Sequence, residues 1–230
     1  MLITILTLFP EMFIGPFDYS IVKRAQGKGK VTIQTINIRD YANDAYKSVD
    51  DRPYGGGVGM IMRVDVIDRA LQQTINNKQK TTTKIVLLDP RGTTFTQAKA
   101  RTLAKLDHLV LICGHYEGID ERVKSLVDES LSIGDYVLTG GELPAMVMTD
   151  AIVRLLPGVL KEGVTQSESY SFEIRNSKFE IPMLEYPQYT RPEVYNGMKV
   201  PEVLLSGNHK KIEQWKKDHA TAKKGRVYRP

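Results

Sequence analysis

Along the first 160 positions, short apolar runs rich in β-branched residues alternate with stretches of helical period. Residues 2–8, 31–38, 84–88 and 109–113 read as strands, and residues 64–76 and 97–106 space their apolar side chains for helices. That alternation predicts an α/β domain built on a largely parallel sheet. One more helix is expected over residues 143–156, where Met146, Ile152, Val153, Leu155 and Leu156 recur among polar partners and Pro157-Gly158 ends the run. Beyond it the pattern fades. Residues 161–185 are polar with few periodic apolar positions and read as a linker or a long functional loop. Two proline-marked segments, 186–192 and 200–202, then lead into a basic helix expected over 208–224 around Trp215. The expected organisation is a domain of residues 1–160, an interdomain linker of 161–185 and a small, basic, helical C-terminal domain of 186–230.

Composition narrows the class. With 230 residues and 41% hydrophobic content the chain can bury a sizeable core, which excludes disordered and fibrous classes. The longest apolar runs, around 2–9 and 86–88, fall far short of the roughly 20 residues a membrane helix needs, so no membrane partner is expected. The N-terminal run has no basic head and no small-residue cleavage site, and a cytoplasmic location follows as the expectation. A single cysteine, Cys113, excludes a disulfide framework and multi-cysteine zinc patterns; ending an apolar strand, it reads as a small buried residue. Four scattered histidines complete no HExxH, and no metal ligand is assigned. The net charge of +5 is concentrated: residues 206–230 hold eight Lys/Arg against Glu213 and Asp218, leaving the rest near neutral. Such an end either meets a polyanion, nucleic acid being the usual one, or is simply a solvated lysine-rich helix.

Three glycine-bearing segments fall where strands should end: Asp89-Pro90-Arg91-Gly92, Gly114-His115-Tyr116-Glu117-Gly118, and Ile133 through Pro144 with Gly134, Gly140 and Gly141. In an open α/β sheet, ligands bind outside the carboxyl ends of strands, so the three together predict one pocket. No G-x-x-x-x-G-K-[ST] is present, which argues against a P-loop nucleotide site. A fourth cluster, Tyr54-Gly55-Gly56-Gly57-Val58-Gly59-Met60, follows the polar Asp50-Asp51-Arg52-Pro53 and not a hydrophobic strand, so it is no dinucleotide loop. It reads as a surface loop that lets something flat or bulky come close; a plain glycine hinge fits equally.

Taken in order, the segments 50–60, 113–122, 132–144 and 189–193, flanked by Phe9-Pro10-Glu11-Met12-Phe13 and Leu204-Leu205-Ser206-Gly207-Asn208-His209, closely resemble the bacterial tRNA (guanine-N1)-methyltransferase family of the knotted SPOUT class. The resemblance covers nearly the whole chain. It implies an α/β domain whose C-terminal part threads a trefoil knot, a feature that periodicity cannot reveal. It also implies homodimers with the active site between subunits, and tRNA as substrate. The implied reaction moves a methyl group from S-adenosylmethionine to N1 of the guanosine immediately 3′ of the anticodon. Positions matching the family's cofactor pocket are Pro90, Gly114, Tyr116, Ile133, Gly134, Asp135, Tyr136, Val137, Leu138, Gly140, Gly141 and Pro144. Those matching the neighbourhood of the target nucleotide are Asp50, Tyr54, Gly55, Gly56, Gly57 and Glu117. Magnesium dependence is associated with the family, but no ligand can be named.

Guanine N1 carries a proton at neutral pH, so a general base must remove it while charge moves toward O6, where a cation stabilises it. The resemblance gives the cationic role to Arg154. For the base, the family carries Asp-Ser-Phe shortly after the Pro-Gly-Val-Leu turn; here Glu168-Ser169-Tyr170 stands in that place. Glutamate keeps the carboxylate but extends it by about 1.5 Å, and a misplacement of about 1 Å can cost a hundredfold in rate. Residues 171–182 also exceed the family's length, so Glu162 and Glu173 compete with Glu168. Arg191, Lys210 and Lys211, together with Lys216, Lys217, Lys223 and Lys224, are expected on RNA phosphates, with Trp215 anchoring its helix. Two other readings stand: a knotted methyltransferase with another RNA target, and a tRNA-binding protein with weakened catalysis.

Overall fold

A computed structural model describes residues 1–75, 82–166, 168–171, 173–176 and 179–222. The chain divides into two compact units, Met1–Leu160 and Lys161–Pro230.

The first unit is built on β1 (Leu2–Thr7), α1 (Ser20–Gly27), β2 (Thr32–Asn37), the short strands β3 (Asp50–Asp51) and β4 (Ile61–Met62), and α2 (Val64–Thr74). These are followed by β5 (Thr83–Thr94), α3 (Gln97–Leu103), β6 (His108–Cys113), β7 (Glu129–Ser132) and α4 (Glu142–Val153). Five strands form one sheet in the order β2-β1-β6-β5-β7, and every neighbouring pair is parallel. The largely parallel α/β sheet expected from the strand–helix alternation is therefore what the chain forms. Central β6 is buried from end to end because both its faces are covered: Leu109, Leu111 and Cys113 join one core layer, and Val110 and Ile112 the other. Helix α4 packs into the first layer through Ala145, Met148, Ile152 and Val153, and α2 into the second through Val66, Ile67, Ala70 and Leu71. Residue 76, the expected end of the second helix, lies outside the described residues.

Two differences from the sequence pattern bear on the site. Strand β5 does not end at Leu88 but runs on to Thr94, with a register shift against β7 between Leu88 and Thr93. The extra residues bulge out of the ladder, which aims Pro90 and Arg91 away from it. Strand β7 carries only one fully apolar residue, Leu131, in Glu129-Ser130-Leu131-Ser132, too weak a pattern to read from sequence.

In the second unit, the segment expected to be a linker contains a hairpin. Strands β8 (Glu173–Asn176) and β9 (Phe179–Leu184) pair antiparallel, and the last short strand, β12 (Thr221–Ala222), joins β9. Backbone pairing organises this stretch despite its polar composition, a tertiary effect that weak local patterning conceals. Two further short strands, β10 (Val194–Tyr195) and β11 (Met198–Lys199), form a hairpin across Asn196-Gly197, both at positive φ, as a type I′ turn requires. After α5 (Glu202–Leu205), helix α6 (His209–His219) is capped by Asn208 Oδ1, which accepts the Lys211 amide at 3.2 Å. It is shorter than expected: Ala220 turns extended so that Thr221 and Ala222 can pair with β9. Residues 223–230, with Lys223 and Lys224, lie outside the described residues. No helix among the described residues is long and apolar enough to cross a membrane.

Candidate active site

The carboxyl ends of β5, β6 and β7 open onto one cleft of about 1170 Å³ in the first unit. The three loops read as a pocket do converge there: Pro90 and Arg91 from the β5 bulge, residues 114–122 after β6, and, from the end of β7 onward, residues 132–134 and 136–141, closed by Pro144 on α4. Of the positions matched to a cofactor pocket, Pro90, Gly114, Tyr116, Ile133, Gly134, Tyr136, Val137, Leu138, Gly140, Gly141 and Pro144 line the cleft. Asp135 does not; it is exposed. Of the positions matched to the target nucleotide, Tyr54 and Glu117 line the cleft, whereas Asp50, Gly55, Gly56 and Gly57 do not, Asp51 standing on the wall instead of Asp50.

Glycine loop 52–60 is held at the cleft mouth by the antiparallel pair β3–β4. Backbone bonds tie it to the neighbouring loop: the Glu117 amide donates to Met60 O at 3.0 Å, Met62 to Gly118 O at 3.0 Å and Asp120 to Met62 O at 3.1 Å. Tyr54 and Val58 stand almost wholly in solvent, unusual for large apolar side chains and consistent with a surface that receives something. Gly59, at φ +87°, is in the left-handed region, and a Cβ there would collide with Glu117 Cγ. The glycine thus makes room for the Glu117 side chain to lie across the loop.

Charges on the wall are fixed in pairs. Burial alone would raise the Asp89 carboxyl, but Arg91 donates to it from its backbone amide (2.8 Å), Nε (3.2 Å) and Nη2 (3.0 Å) and holds it below the usual carboxylate range. Arg91 Nη2 also contacts Glu121 at 3.2 Å. Arg122 forks onto Asp120, and Arg63 onto Asp65. The effect is a rim of oriented guanidinium groups, Arg63, Arg91 and Arg122. Sequence reading missed these pairs; three recur at spacing two, as Arg63/Asp65, Asp89/Arg91 and Asp120/Arg122, and that spacing was the available signal.

Tyr116 sits at φ +60° and accepts a hydrogen bond on its hydroxyl from Arg39 Nη2 at 3.2 Å. A non-glycine residue held there is strained, as is common where a side chain must be presented to a ligand. Cys113 is fully buried; burial first, and the Glu142 charge second, push its thiol up, so it is a packing residue and no nucleophile.

Arg154 does not line the cleft. It caps the C-terminal end of α4, while the cleft takes Pro144 near the other end, about 15 Å away at 1.5 Å per residue. Glu168 is described within the second unit. Its Glu-Ser-Tyr turn is clamped: the Tyr170 amide donates to Met183 O at 2.7 Å, the Ser171 amide to Glu168 O at 3.0 Å and the Glu185 amide to Ser169 Oγ at 3.1 Å. Tyr170 adopts φ +65° there. Glu162 is exposed, and the Glu173 side chain lies outside the described residues. Arg191, Lys210 and Lys211 are all exposed. Trp215 stacks on His219 (4.0 Å between ring centroids) and meets Tyr186 and Tyr189 edge-on, the packing of an anchor.

The cleft fits a nucleoside-bearing donor on its own geometry. It offers apolar walls in Leu87, Ile133 and Leu138 and close-approach glycines in Gly114, Gly140 and Gly141. Its volume lies just above the roughly 300–1,000 Å³ usual for small-molecule pockets.

A parallel α/β sheet whose carboxyl-end loops enclose such a cleft defines an α/β enzyme of the kind that binds a nucleotide-like cofactor. The whole chain, residues 1–230, matches the family described as tRNA (Guanine-1)-methyltransferase TrmD. Among curated relatives, the tRNA (guanine-N(1)-)-methyltransferase of Dictyoglomus turgidum is 51% identical over 221 residues, covering 96% of this chain and 85% of the relative. That of Carboxydothermus hydrogenoformans is 54% identical over 218 residues (94% and 81%), and that of Staphylococcus epidermidis 51% over 217 (94% and 84%). The chain belongs to the tRNA (guanine-N1)-methyltransferase family.

Proposed function

We propose that this protein transfers a methyl group from S-adenosylmethionine to N1 of the guanosine immediately 3′ of the anticodon in tRNA, acting in the cytoplasm as a homodimer. The observation that carries the reading is the convergence on one cleft of three glycine-bearing loops, expected from their places at strand ends and matching the family's cofactor positions. Pro90, Gly114, Tyr116, residues 133–138 other than Asp135, Gly140, Gly141 and Pro144 would hold the donor. When bound, S-adenosylmethionine supplies a methyl group made electrophilic by its sulfonium. Glu117, lying against Gly59, presents a carboxylate suited to the N–H groups of a guanine edge.

Glu168 takes the proton from guanine N1 as that nitrogen bonds to the methyl carbon and the methyl–sulfur bond breaks, its electron pair leaving with sulfur as S-adenosylhomocysteine, and Arg154 stabilises the charge that builds on O6. The separation of Arg154 from the cleft by the length of α4 supports a dimeric arrangement, in which the arginine of one subunit serves the cleft of the other. Lys210 and Lys211 favour a polyanionic partner: cations in the first turn of a helix oppose its dipole, so their placement is not explained by helix stability.

The test is transfer of labelled methyl to tRNA bearing a guanosine pair at this site, followed by nuclease mapping. N1-methylguanosine at the position 3′ of the anticodon is expected. A different methylated nucleoside would make this another RNA methyltransferase, and tRNA binding without transfer would leave a binding protein.

A further inference from the structure

One buried carboxyl group beneath the cleft has no part in the chemistry above. Glu142, the first residue of α4, is only 2% exposed, and it does not itself line the cleft. Burying a carboxylate is costly unless hydrogen bonds compensate, and an apolar residue of similar volume is often the more stable choice. What compensates here comes from elsewhere in the fold. Thr7 Oγ1, fully buried at the carboxyl end of β1, donates to Glu142 Oε1 at 2.8 Å. The same Thr7 oxygen accepts the Phe9 amide at 3.0 Å, so the hydroxyl is used on both sides and its direction is set. The N-terminal start of α4 favours the negative charge as well.

The other side of the carboxylate faces the site. The position that a Cβ on Gly140 would occupy is taken by Glu142 Oε2, with His115 Nδ1 2.8 Å and Gly114 O 3.4 Å from the same point. His115 Nδ1 is buried without a hydrogen-bond partner, and its ring is held edge-on by Phe9 (4.9 Å) and Tyr116 (5.1 Å). The Gly141 amide donates to Gly114 O at 2.8 Å, joining the same two loops. One carboxylate therefore meets β1 through Thr7 and lies against the 140–141 turn, which is itself tied to the 114–118 loop by the Gly141–Gly114 backbone bond; both loops are walls of the cleft.

We propose that Glu142 is a positioning residue: locked by Thr7, it sets the spacing of the Gly114–Tyr116 and Gly140–Gly141 backbones against each other, and so the shape in which the donor is received. This rests on the reading of the cleft as the S-adenosylmethionine site. The charge acts through the loops and not on the ligand.

The experiment is calorimetric titration of S-adenosylmethionine, and separately of S-adenosylhomocysteine, into wild-type, Glu142→Gln, Thr7→Val and Thr7→Ser proteins, with folding of each checked by circular dichroism. Both Glu142→Gln and Thr7→Val are expected to weaken both ligands equally, by about tenfold, the scale of one hydrogen bond to a charged group. Thr7→Ser, which keeps the hydroxyl, is expected to restore affinity, a recovery that simple loss of packing would not show. Should Glu142→Gln fail to fold, the Thr7 pair decides the matter. Folded Thr7→Val with wild-type affinity would overturn the proposal, and a loss confined to the sulfonium ligand would replace it with direct charge contact. Wild-type protein that binds neither ligand would remove the reading of the cleft itself, and this inference with it.

Discussion

The two units of this chain are held together by different means. Among the described residues, every fully buried side chain lies between Ile3 and Leu156, and Lys161–Pro230 has none. The first unit is a doubly covered sheet, stabilised by apolar burial on both faces. The second relies on short backbone ladders, the Asn208 cap and the ring cluster around Trp215. In the proposed mechanism the packed unit shapes the donor cleft and carries Glu117 and Arg154, and the exposed one carries Glu168 and the lysines that face a polyanion. Such a division suits an enzyme whose small ligand needs a rigid mould and whose large ligand is a surface, since ordering a thin unit on an RNA costs less than reshaping a core.

The sharpest way to break this comparison is Glu168→Gln. With Glu168 as the base, turnover is expected to fall by about 10² to 10⁴ while calorimetric donor affinity stays at the wild-type value. Near-normal kcat would return the role to Glu162 or Glu173. Next in size is a matched pair of truncations. Leu111→Ala, at a fully buried site, should lower unfolding free energy by about 2–5 kcal/mol in urea melts, and Ile212→Ala, half-buried on α6, by about 1 kcal/mol or less. Equal losses would show that the second unit has a core of its own. A smaller effect is expected on RNA affinity. Lys210→Gln or Lys211→Gln should each reduce the slope of log Kd for tRNA against log salt by about 0.7–0.9, leaving donor binding unchanged. A slope unmoved by both substitutions would take α6 off the RNA.

The smallest effect concerns His108, 9% exposed, whose Nε2 lies 2.9 Å from Thr4 Oγ1. Burial holds its pKa below the ordinary 6.5. The unfolded chain then binds the proton more readily, so this contribution to stability is fully present above pH 6.5 and is lost as pH falls from there through the depressed folded-state value. Thermal melts across that range should show the loss in wild type and a flatter profile in His108→Gln.

Much of this molecule was legible from residue order. Strands β1, β2 and β6 and helices α2, α3 and α4 follow from runs such as Leu109–Cys113 and from the spacing of Val66, Ile67, Ala70 and Leu71, because burial on one or two faces writes itself into local periodicity. The glycine segments could be named as loops of one pocket, since glycine after a strand marks a close approach of backbone. The hairpin β8–β9 escaped notice, and so did the bulge of β5 and strand β7, since their partners lie elsewhere in the chain and their own residues are polar or mixed.

Sequence by itself determined the parallel α/β scaffold, the basic terminus and the set of residues that resemble a methyltransferase site. Tertiary structure alone decided that Asp135 is not among the residues lining the cleft, that Asp51 and not Asp50 stands on its wall, and that Thr7 and Glu142, 135 positions apart, share a hydrogen bond beneath it. The reason is range: periodicity reports what one element buries, whereas the shape of a cleft is set by groups that only the packing of separate elements brings within bonding distance.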